Sequence, residues 1–139
     1  MNPENIVNLE QHPIQDEEYA QSCKAQLDST GALVMENYLS ADTVKSLQDE
    51  ARKVRPLAFF CQQNHNAYLL DSDGSLPEDH IRNLEQVSDK GCVPHDQIPD
   101  DSPLRTLYEW PDFRVFLESV LDVPVYPYAD TLSSININY

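Results

Sequence analysis

Apolar residues recur at helical spacing in four stretches of this chain, and each stretch carries its own start signal. Asp16, Glu17 and Glu18 open the first, matching the positive end of a helix dipole, with Tyr19, Cys23 and Leu27 on one stripe until Gly31. Ser40 caps the second, in which Val44, Leu47, Ala51 and Val54 mark the buried side before Pro56 closes it. Ser102 followed by Pro103 starts a third helix with Leu104, Leu107 and Tyr108 on its apolar side. A fourth begins near Pro111 and turns Phe113, Phe116, Leu117, Val120 and Leu121 inward.

Between these helices the pattern changes. Ala32–Met35 is a short apolar run that reads as a strand, and 57–70 (LAFFCQQNHNAYLL) mixes aromatic and aliphatic residues in strand-like fashion around a polar centre. Residues 1–15 read as a polar tail, which leaves 16–139 as a single domain. Residues 71–101 carry Asp-Gly, Leu-Pro, Lys-Gly, Val-Pro and Ile-Pro steps and read as loop. A connection of that length in a compact domain is commonly a functional lid or binding loop.

The last stretch is the most informative. Ile135, Asn136, Ile137 and Asn138 alternate apolar and polar with period two. The isoleucines are therefore expected to face a core, with Asn136 and Asn138 projecting together from the opposite face. Two amides side by side on a strand make a surface suited to holding a ligand. A strand here also presents unpaired backbone groups, through which self-association is an expected possibility.

Hydrophobic residues at 40% and charged residues at 24% are ordinary globular usage, so a packed core is expected. The net charge of −15 is not ordinary, and it argues against nucleic acid and anionic membrane surfaces as partners over a screening length of about 8 Å. Three widely spaced cysteines, Cys23, Cys61 and Cys92, fit free thiols in a reducing compartment. The first residues lack a signal- or transit-peptide pattern, and no apolar run approaches the roughly 20 residues needed to cross a bilayer. A cytoplasmic protein without a membrane partner is the expectation.

The blocks GALVMENYLS, NHNAYLL followed by PEDHIRN, CVPHDQIPDDSPLRTLYEWPDFRVFL and VYPYADTLSSININY together resemble a known family. From Gly31 onward the chain is similar to the N-terminal half of bacterial Fe(II)- and 2-oxoglutarate-dependent oxygenases, especially the small branch containing amino-acid hydroxylases and halogenases. The resemblance implies an α+β fold in which N-terminal helices pack on the first strands of an incomplete double-stranded β-helix, the jelly-roll or cupin-like barrel. It implies Fe(II) and 2-oxoglutarate as cofactors of the complete enzyme and a small amino-acid-like substrate.

In that family the strand resembling ININY is followed by a glycine and a His-x-Asp or His-x-Gly iron motif. Here His12, His65, His80 and His95 all precede the strand, and none has an acid two residues on. The resemblance therefore implies a chain with no catalytic or metal residue of its own, inactive alone. It assigns Asn136, Asn138 and Tyr139 to 2-oxoglutarate, and Asp130, Asn66, Tyr68, His80 and Arg82 to the substrate side. His95 and Asp96 lie in its most family-like loop and are expected to orient each other or to serve as a structural latch. Trp110 reads as a packing residue whose indole N–H is satisfied locally.

Two other classes stay open. Cys61 with His65 and Cys92 with His95 are soft-ligand pairs that could close a zinc site in a non-catalytic binding module. A non-catalytic interaction domain that pairs its terminal strand with another chain is the other. Asp71, Asp73 and Gly74 do not fall into calcium-loop register, and there is no phosphate loop or Gly-x-Ser-x-Gly elbow.

Overall fold

The computed structural model describes residues 2–130 and 132–139. The chain is a mixed α+β fold. Its helices are α1 (Glu17–Thr30), α2 (Ala41–Val54), α3 (Pro103–Glu109) and α4 (Pro111–Leu121), and its strands are β1 (Phe59–Asn66), β2 (Glu85–Val93) and β3 (Ile137–Asn138). Each predicted start signal is used. The Asp16 carboxylate accepts from Tyr19 N–H, Ser40 Oγ from Thr43 N–H and Ser102 Oγ from Leu104 N–H, satisfying amides that a helix start leaves bare. Gly31 ends α1 at φ 74°, a left-handed conformation that glycine adopts without strain.

One core forms where α1 and α4 pack together. Ala20 and Cys23 of α1 meet Phe116 and Val120 of α4, with Trp110 beside them. Several of the residues expected to form a polar tail belong to this core. Ile6, Val7 and Ile14 are buried in it, and Val7 bridges Leu39. The buried His12 anchors the segment, with Nδ1 bonded to Tyr19 Oη at 2.6 Å and Nε2 to the Glu36 carbonyl at 2.7 Å. Their apolar side chains are spaced irregularly, so no periodicity announces them.

The strands make one antiparallel sheet in the order β1-β2-β3. β2 falls inside the stretch read as loop, because its partner supplies what its own pattern lacks. Register runs from Phe59 opposite Cys92 to Asn66 opposite Glu85. Ala32–Met35, expected as a strand, has no strand partner among the described residues; Leu33 and Met35 instead pack against the first core. A second core of Val54, Val93 and Ile98 gathers Ile135, Ile137 and Tyr139 onto α2 and β2. Only this one sheet is formed by the described residues, and none of their helices is long and apolar enough to cross a membrane.

Candidate functional site

The terminal strand is fixed to β2 by a reciprocal pair of backbone bonds. Gly91 N–H donates to the Tyr139 carbonyl at 3.0 Å, and Tyr139 N–H donates to the Gly91 carbonyl at 2.9 Å. This pairing sets Asn138 opposite Cys92, and Cys92 in turn lies opposite Phe59. Directly paired residues share a face, so Phe59, Cys92 and Asn138 form a row across the sheet. That face is open: Asn136 and Asn138 are exposed, and Phe59 is 73% exposed. Ile135 and Ile137 turn the other way into the second core, as the alternation predicts.

Within the row, the Cys92 thiol donates to Asn136 Oδ1 at 3.6 Å, and Asn136 Nδ2 donates to the Ser133 carbonyl at 3.4 Å. The Asn138 amide has no hydrogen-bond partner among the described residues and is available to a ligand. A cavity of about 370 Å³ borders this edge, lined by Val44, Leu47 and Ala51 of α2, Leu104 of α3 and residues 136–138. Tyr139, expected to join the two amides, projects to the opposite face. Its hydroxyl donates to the Ala51 carbonyl, and its ring lies beside Phe60 with the Arg55 guanidinium 5.7 Å from the ring centre.

The lead-in to the strand is tied by short local bonds. Asp130 accepts from Leu132 N–H at 2.9 Å and from Ser133 Oγ at 2.7 Å, and these bonds, the hydroxyl's first, hold its carboxyl below the usual range. His95 bonds Ser134 Oγ through Nδ1 at 2.5 Å, not Asp96, and its carbonyl accepts from Arg105. It is a latch between the strand's lead-in and α3.

Asn66, Tyr68, His80 and Arg82 form a separate group at the other end of the β1–β2 hairpin. Asn66, 1% exposed, accepts from Tyr68 N–H and Leu70 N–H and donates to the Leu70 carbonyl at 2.7 Å. Arg82 lies over the Tyr68 ring at 5.9 Å and 4.0 Å from Asp73, and its backbone N–H donates to His80 Nδ1. Asn66 lies opposite Glu85 and Asn138 opposite Cys92, seven positions apart on β2, about 23 Å of strand. Of the expected substrate-side residues, these four are thus not brought to the terminal strand, whereas Asp130 lies in its lead-in.

Among the described residues no three His, Cys, Asp or Glu side chains gather as metal donors. The residues present do not fit an iron ion, and Cys61, His65, Cys92 and His95 do not close into a zinc site. Trp110 packs into the first core as expected, but its indole N–H, expected to be satisfied locally, has no hydrogen-bond partner among the described residues and is not enclosed. The residue lines a second cavity between α3, α4 and residues 125–127, which the sequence did not announce. No protein-family model, curated protein or solved structure matches the chain.

Proposed function

We propose that this chain is the N-terminal portion of an Fe(II)/2-oxoglutarate-dependent oxygenase, a hydroxylase or halogenase of a small amino-acid-like substrate in the cytoplasm. Its sheet would be the first part of a jelly-roll barrel. The observation that carries this reading is the open sheet face, where Asn136 and Asn138 project beside Cys92 and the largely exposed Phe59 while the alternate isoleucines are packed away. Exposed amides beside an uncovered aromatic combine the apolar surface and the few polar groups that a small-molecule site uses, which supports this reading. Asn138, whose amide is free, is the residue suited to 2-oxoglutarate, with Asn136 as its neighbour. Iron ligation falls outside these residues, so the chain alone is inactive.

The reading is tested by sequencing the DNA downstream of the Tyr139 codon. A continuation, in frame or shifted, encoding a glycine and then His-x-Asp is expected. Purified protein given Fe(II), 2-oxoglutarate and amino acids should form no succinate. A stop codon with no such continuation in any frame, or turnover by this chain, would overturn the proposal. The first result would leave a non-catalytic interaction module, a reading favoured by the edge of β2 at 85–89, which lies beyond the reach of β3.

A further inference from the structure

The cavity beside Trp110 has no part in the oxygenase reading and stands on different residues. It measures about 360 Å³, within the range of small-molecule sites, and is walled by Tyr108, Trp110, Phe113, Leu117, Val125 and Pro127. The wall formed by residues 125–127 is tied down on both sides. Val125 N–H donates to Glu118 Oε1 at 3.1 Å, and Tyr128 N–H donates to Tyr108 Oη at 2.9 Å.

The polar groups of this lining are mostly donors. Trp110 is a buried residue whose indole N–H makes no hydrogen bond among the described residues; the nitrogen itself is not enclosed and is open at the cavity. The Tyr108 hydroxyl accepts from Tyr128, which leaves its own hydrogen to give. Arg114 also lines the cavity, and its guanidinium makes no ion pair among the described residues despite the chain's 24 acids. Glu109 is the one acid in the lining and repels an anion, whereas Arg114 is its one cation and attracts one.

We infer that this cavity is a binding site for a small free carboxylate with an aromatic or branched apolar body. The body packs among the aromatic walls, and the carboxylate accepts from Arg114, with Trp110 and Tyr108 as further donors. Selective uptake of an anion by a chain of net charge −15 requires such a local cation.

Trp110 is the chain's one tryptophan, so intrinsic indole fluorescence reports on this site alone. Titration with 3-phenylpropanoate should give a saturable change in Trp110 emission with a dissociation constant in the millimolar range or tighter. Arg114→Gln should weaken it by about tenfold, the loss of one charge-assisted hydrogen bond. Arg52→Gln, at an exposed arginine paired with Asp49, should leave it unchanged. Circular dichroism of each variant verifies folding. No saturable change with the parent protein would overturn the site. Equal binding of 3-phenylpropylamine, or full retention in Arg114→Gln, would overturn the carboxylate assignment.

Discussion

The Phe60 ring lies on Gly91, so close that a β-carbon built on the glycine would stand 2.5 Å from Phe60 Cε1. Their pairing across β1 and β2 continues to Tyr139, and the Arg55 guanidinium sits within 6 Å of both ring centres, at 5.9 Å from Phe60 and 5.7 Å from Tyr139. Replacing a strand glycine by alanine ordinarily gains about 0.5–1 kcal/mol, whereas forcing a group into a filled contact costs about 1–3 kcal/mol. Gly91→Ala is therefore expected to destabilise by about 1 kcal/mol in urea denaturation. In a Phe60→Ala background the clash is gone, and the same change should turn neutral or stabilising.

Ile6, Val7, His12 and Ile14, from the segment expected to be a polar tail, are buried. Ile6 is fully buried against Trp110 and Phe116 in the first core. Ile6→Ala should cost about 2–5 kcal/mol through lost burial and the cavity left behind, measured as a fall in denaturation midpoint. A residue in a solvated tail would cost nothing measurable.

Stability should also fall at alkaline pH. Burial, helped by the Cys23 thiol, pushes the Tyr19 phenol up to about 12, and burial raises Tyr38 as well, with Tyr19 adding to it. An unfolded phenol titrates near 10, so this contribution is whole below about pH 10 and is lost as pH rises toward 12. Thermal melts from pH 8 to 12 should show the loss, and Tyr19→Phe should flatten it. On the acid side, Asp130 should titrate below an ordinary aspartate by NMR, and Ser133→Ala should return it toward the usual range.

The helices were legible because caps are local chemistry. Asp16, Ser40 and the Ser102-Pro103 step each announce a start from within a few residues. β2 was not, since EQVSDKGCV offers little alternation and becomes a strand through pairing with Phe59–Asn66. Ile6, Val7 and Ile14 were missed for the same kind of reason, as their burial is decided by α1 and α4 across the fold. At the candidate site, the alternation of Ile135–Asn138 correctly separated the packed isoleucines from the exposed amides. What it could not reveal was the cavity beside Trp110, because a cavity is a property of the whole surroundings.

Asn66 should behave as a structural residue whatever else it touches. It is buried and makes three hydrogen bonds to the backbone of Tyr68 and Leu70. Asn66→Ala strands those groups, at about 1–3 kcal/mol. Hydrogen exchange at Tyr68 and Leu70 should speed up, while exchange at Gly91 and Tyr139, at the other end of the sheet, should be unchanged.

The terminal strand allows stability and ligand binding to be separated. Tyr139 Oη donates to the Ala51 carbonyl across 88 positions of sequence, and its ring belongs to the second core. Tyr139→Phe keeps the ring and removes one hydrogen bond, for a cost of about 1 kcal/mol. Asn138 is exposed, and its amide has no partner among the described residues, so Asn138→Ala should fall within about 0.5 kcal/mol of the parent. If Asn138 instead proves as costly as Tyr139 in denaturation, its amide serves the fold, and the open sheet face loses the group on which the keto-acid reading depends.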